Sequence, residues 1–77
     1  MFEVVLKSVD SSRAEHVGRV VHKHNRALDH SEFEAVVERV ARGGSEVVAR
    51  CHERRVAENV VAEFAYHRAL AEVREID

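Results

Sequence analysis

No proline interrupts this chain of 77 residues, and no low-complexity tract divides it. Linkers and internal repeats are therefore absent from the reading, and residues 1–77 form one small domain. A single cysteine, Cys51, excludes an internal disulfide. A small chain without a disulfide framework fits a reducing compartment, so the expected location is the cytoplasm. No stretch approaches the ~20 apolar residues of a membrane span, so no membrane partner is expected. The opening MFEVVLKSVD also lacks a charged start followed by an apolar run, which is not the pattern of a signal peptide. Aromatics make up only 5%, too few for a base-stacking platform. The net charge of −2 offers no basic excess for phosphate, so no nucleic-acid partner is expected.

What remains is the composition of a folded globule: 45% apolar and 34% charged residues with a small net charge. A chain this short buries only about 60% of the surface that its unfolded form exposes, so the core is thin. Phe2, Val4 and Leu6 fall on one side of an opening strand, FEVVLKS, with Glu3 and Lys7 on the other. Ser12 followed by Glu15 has the S-x-x-E form of a capping box, and apolar residues at 17, 20, 21, 27 and 28 continue on one helical face. A second S-x-x-E, Ser31 and Glu34, precedes the cleanest amphipathic pattern in the chain: Phe33, Val36, Val37, Val40 and Ala41. Gly43 and Gly44 end that helix, since glycine accepts the left-handed geometry of a helix stop. EVVARC, 46–51, reads as a second strand. A third helix is expected from about Glu53 to His67 with Val56, Val60, Val61 and Phe64 on its apolar face. LAEVREI closes the chain as a third strand. The order β-α-α-β-α-β predicts an α/β (α+β) two-layer sandwich: a three-stranded, mainly antiparallel sheet with three helices packed on one face.

Four of the six histidines lie in HVGRVVHKHNRALDH, residues 16–30. A helical metal site pairs histidines at i, i+3 or i, i+4, and His16, His22, His24 and His30 contain no such pair. No metal site is expected. His24 instead occupies a position on the Val17, Val20, Val21 stripe, and His16 borders it. If either imidazole is buried and neutral, protonation near pH 6 should loosen this helix, because charging a buried ring costs desolvation. Cys51 and His52 are adjacent in a strand and point to opposite faces, so they do not form a thiol dyad. Gly43-Gly44 lacks the Lys-Ser/Thr of a phosphate loop. Glu32/Glu34 and Glu53/Glu58 sit where helices need charged outer faces. No catalytic residue and no cofactor is expected, and the chain is not read as an enzyme.

The opening FEVVLKSVDSSRAEHV resembles the start of the ClpS-type adaptors of the Clp protease, where a strand leads through an Asn-Asp-Asp-x-Thr loop into a helix. RRVAENVVAEF resembles that family's Glu-x-Ala-Glu-Thr-Lys-Val helix, with Ala57, Glu58 and Val61 in register. ARGGSEVVARC sits where the family has a Gly-bearing turn and a strand. The resemblance covers nearly the whole chain in element order, with sparse identities. The C-terminal domain of the bacterial ribosomal stalk protein shares this fold and is similar at its Phe-Asp-Val-x-Leu-Lys opening. Both families are non-catalytic docking modules.

The ClpS-type resemblance implies a protein-binding adaptor in protein degradation, tethering a peptide or protein cargo to the N-domain of a Clp-type AAA+ unfoldase. Its N-degron pocket is implied to be degenerate. The loop positions read Ser8, Val9 and Asp10, the Thr position reads Ser12, the histidine position reads Ala41, and the docking lysine reads Val60. Only Asp10 and Ser12 match the pocket motif. Cargo is placed between the first loop and the second helix, at Asp10, Ser12, Val37 and Ala41, and unfoldase docking at Arg54, Arg55 and Glu58. The structural role open to Asp10 and Ser12 is a helix N-cap. The stalk-like alternative docks a translation-type factor through Arg19, His22 and Lys23. A homodimeric or accessory subunit is a third possibility, because small domains often cover a thin core by self-association.

Overall fold

The structure, a computed structural model, describes Met1 to Ile76. The elements run β1 (Phe2–Val9), a 3₁₀ turn (Ser11–Arg13), α1 (Ala14–His24), α2 (His30–Ala41), β2 (Glu46–Cys51), α3 (Arg54–Tyr66) and β3 (Ala69–Glu75). The strand order is β2-β1-β3, and β1 is antiparallel to both neighbours. The α/β two-layer sandwich expected from the sequence is the architecture observed.

Alternation along β1 decides what each face of the sheet does. Val4 and Leu6 are fully buried and join Val17, Val21, Val40, Val48 and Phe64 in one apolar cluster that draws on all three helices. Glu3 and Val5 are also buried but lie outside that cluster, on the opposite face. There Glu3 faces Arg50 across β2 and Arg74 across β3. Arg50 donates from Nε to Glu3 Oε2 and Arg74 from Nε to Oε1, both at 3.1 Å. The hydrogen bond from Arg74, joined by that from Arg50, holds the Glu3 carboxyl below the usual carboxylate range. The register of β2 shifts between Val4 and Val5, and this bulge turns both Val48 and Ala49 inward while Val47 stays outside.

Helix boundaries correct several expectations. Neither S-x-x-E pattern forms the capping box. At the first, Asp10 caps the 3₁₀ turn, and α1 starts behind Arg13 without a side-chain cap. At the second, the box is Asp29 with Glu32: Asp29 Oδ1 accepts from the Glu32 amide at 2.9 Å, and Glu32 Oε1 accepts from the Asp29 amide at 3.3 Å. Ser31 donates to the same Asp29 oxygen, and Glu34 pairs with His30 instead. Asp29 starts the helix two residues earlier in the sequence than Ser31 would. The first helix ends at His24, so Ala27 and Leu28 belong to the connection, and Leu28 reaches the core from there. In the third helix Val56 is 45% exposed and Ala57 is fully buried. The true stripe is Ala57, Val60, Val61 and Phe64, and Val56 is rotated off it by one residue. Ala41 is exposed rather than on the buried face of α2.

Two helices are each followed by a residue in the left-handed region, a glycine in one case and an arginine in the other. After α2, the Gly43 amide reaches the Val40 carbonyl and the Gly44 amide the Arg39 carbonyl, each at 3.0 Å, with Gly43 at φ +102°. This is a Schellman stop, and glycine suits its left-handed position. After α3, the equivalent left-handed residue is Arg68, at φ +61°. A side chain in that region costs roughly 1–2 kcal/mol, partly offset in an exchange by the greater freedom of glycine when unfolded. Arg68→Gly is therefore expected to stabilise the fold by about 1 kcal/mol. Thermal unfolding should show Tm rising by several degrees in a domain of this size.

Candidate functional site

An open groove of about 760 Å³ lies between α1 and α2. Its apolar surface comes from Ala14 and Gly18 on α1 and from Phe33, Val37 and Ala41 on α2, with Ser11 contributing from the preceding turn. Gly18 makes this shape. A Cβ at that position would lie 3.1 Å from the Phe33 ring, so glycine lets the ring rest against α1 where any larger residue would make it give by a few tenths of an ångström. Two imidazoles hold the ring from its flanks: His22 at 5.3 Å and tilted, His30 at 4.9 Å and edge-on. The rim is charged and internally paired. Glu15 accepts from Arg19 at 2.8 Å, Glu34 lies 2.8 Å from His30, and Glu38 accepts from Arg42.

The residues expected to hold cargo divide here. Val37 and Ala41 line the groove. Asp10 and Ser12 are not among its lining residues, because they are spent on each other. Ser12 donates its amide at 3.0 Å and its hydroxyl at 2.8 Å to Asp10 Oδ1. These bonds, with the hydroxyl contributing most, hold the Asp10 carboxyl below its usual range, helped by the charges of Arg68 and Arg13. The arrangement is an N-cap. Sequence reasoning missed Gly18 and Phe33 as the makers of the groove. The available signal was a lone glycine inside a helical pattern, which marks a close approach.

The proposed docking residues at the start of α3 are exposed, but Arg54 is engaged. Its guanidinium lies 5.0 Å from the Phe2 ring centroid and 3.6 Å from Glu75, tying α3 to the ends of β1 and β3. Arg55 and Glu58 are exposed on the helix surface. On α1, Arg19 is paired to Glu15, His22 packs on Phe33, and Lys23 donates to Glu63 Oε2 at 2.9 Å. Cys51 packs at the margin of the core, while His52 is exposed.

The histidine expectation is corrected by geometry. His24 is partly exposed rather than buried, and its Nε2 lies 2.9 Å from Glu63 Oε1, so the ring has a carboxylate partner that joins α1 to α3. His16 is exposed and stacks on His67 with ring centroids 5.5 Å apart. Among the described residues no group of three or more His, Cys, Asp or Glu side chains is arranged to hold a metal ion. No helix among them is long and apolar enough to cross a membrane. No family model, curated protein or solved structure matches this chain.

Two predictions follow from these contacts. Gly18→Ala should gain less than the roughly 0.5–1 kcal/mol that alanine normally adds to a helix interior, because Phe33 has to give way. Combining it with Phe33→Leu should restore the missing part in urea unfolding. The second concerns Glu63, whose carboxyl is held below its ordinary value of 4.5 by the hydrogen bond from His24 and then by that from Lys23. A lowered folded value contributes stability that is fully present above pH 4.5 and is lost as pH falls from there through the lower folded value. Glu63→Gln should therefore flatten the acid limb of a Tm–pH profile, and an unchanged limb would refute the coupling.

Proposed function

We propose that this protein is a small, non-catalytic adaptor of the ClpS type, acting in the cytoplasm without a cofactor. It binds a peptide or protein cargo and tethers it to the N-domain of a Clp-type AAA+ unfoldase. The observation that carries the reading is the groove between α1 and α2, whose apolar floor is open and whose shape depends on Gly18 and Phe33. Grooves of this kind, with an apolar floor and a charged rim, suit a side chain or helix face from a partner. Val37 and Ala41 would meet the cargo directly. Asp10 and Ser12 would act as the cap that fixes the entry to α1, which fits a pocket that no longer reads a free α-amine: an ammonium needs several acceptors to offset its lost hydration.

Docking to the unfoldase is assigned to the exposed start of α3, with Arg55 and Glu58 as the free contacts and Arg54 as the charge that anchors the helix. A stalk-like reading, in which a translation-type factor docks on α1, draws support from Arg19 and Lys23, whose side chains are 69% and 58% exposed on one helix face.

Titration of the purified protein against the isolated N-domain of a Clp unfoldase separates these readings. The adaptor reading expects a Kd of about 1 μM or tighter, a binding free energy of roughly −8 kcal/mol. Arg55→Glu should weaken it, whereas Arg19→Glu with Lys23→Glu should leave it unchanged. Absence of binding by the wild-type protein overturns the adaptor reading.

A further inference from the structure

The face of the sheet turned away from the helices carries an arrangement that packing alone does not call for. Glu3 is 5% exposed on the central strand of the sheet, and its two oxygens are each taken by a different arginine from a different strand. A buried carboxylate among charges is weak evidence for stability, since an apolar residue of similar volume usually does as well or better. What Glu3 does is fix two guanidiniums. The Arg50 and Arg74 side chains remain 67% and 58% exposed. Among the described residues, Arg50 bonds Glu3 through Nε alone, which leaves both its terminal nitrogens able to donate; Arg74 keeps one. Around them lie Val47 and Leu70, 38% and 61% exposed, and the Lys7–Glu72 pair at 3.3 Å.

We infer that this sheet face is a second binding surface, which takes an acidic segment of a protein partner by pairing its carboxylates with the prepositioned guanidiniums of Arg50 and Arg74. The fork of donors on arginine matches a carboxylate, and side chains already held in place lose less entropy on pairing. Among the described residues the face carries three cations, Lys7, Arg50 and Arg74, against the carboxylates of Glu3 and Glu72, and Glu3 is buried. Exposed Val47 and Leu70 supply apolar contact beside the charges. Nucleic acid fits less well: among the described residues no aromatic side chain is placed on this face for a base to stack on, and the chain as a whole is acidic. The surface lies across the sheet from the groove, so it stands or falls independently of the adaptor reading.

The test is a titration of isotope-labelled protein with hexaglutamate, followed by amide and arginine Nε resonances, with oligothymidine as the competing arm. Hexaglutamate should shift Arg50, Arg74 and their β1 neighbours and leave the α1–α2 groove unmoved. Arg50→Gln, which keeps Glu3 paired with Arg74, should weaken binding by about tenfold, the loss of one charge-assisted contact. Glu3→Gln is the deciding variant. It removes a negative charge from the face, so simple attraction would tighten binding, whereas loss of positioning weakens it. Each variant is scored with its amide dispersion checked against the wild type. Tighter binding by Glu3→Gln, shifts spread over the whole surface, or oligothymidine binding as well as hexaglutamate would each overturn the inference.

Discussion

The structure depends on β1 being buried on both faces in a chain that has helices enough to cover only one. As the central strand, β1 pairs with β2 on one side and β3 on the other, and every side chain it carries from Glu3 to Leu6 is buried. On the helical side the solution is ordinary: Val4 and Leu6 enter a valine-rich cluster closed by Phe64. On the other side the flanking strands supply the cover themselves. Arg50 and Arg74 lie over Glu3, while Val47 and Glu72 stand opposite Val5. A polar centre is tolerable there because both oxygens of Glu3 are satisfied by charged donors.

The same shortage of material shapes the helical layer. α1 and α2 pack as a pair, and their contact is closed at Gly18 by the Phe33 ring. Beyond that contact the two helices part and leave the groove open. Of the rim carboxylates, Glu15 and Glu38 are paired with Arg19 and Arg42, and Glu34 lies beside the His30 ring. α3 is bound differently. Its C-terminal half is tied to α1 through Glu63, which bridges Lys23 and His24, and its start is tied to the strand ends through Arg54. Two exposed faces of different character result, one apolar between helices and one charged on the sheet, and they are separated by the core.

Most of the fold was legible in the chain. The period-2 pattern of FEVVLKS, the period-3.6 pattern of Phe33 to Val40 and the paired glycines after it each correspond to the element they announce. The errors cluster at helix starts. Ser12 and Ser31 have the residue types of caps, but an aspartate stands two positions ahead of each and captures the serine hydroxyl as well as a backbone amide. A carboxylate is the stronger acceptor, so local competition decided the boundary. The Val56 error has another source. Adjacent apolar residues at 56 and 57 fit the stripe equally well by type, and the docking angle of α3 chose the smaller one to face the sheet.

The sequence by itself determined the element order, the central apolar strand and the absence of disulfide closure, because these follow from residue type and short-range spacing. Only the tertiary structure decided which residues share a site. The family resemblance groups Asp10 and Ser12 with Val37 at one cargo site, yet they close on each other. Gly18 and Phe33, fifteen positions apart in the chain, meet to make the groove. Glu3, Arg50 and Arg74 come together because strand order and register set them opposite one another. Side-chain contacts between elements depend on angles and registers that the whole core selects, and no window of neighbouring residues contains that information.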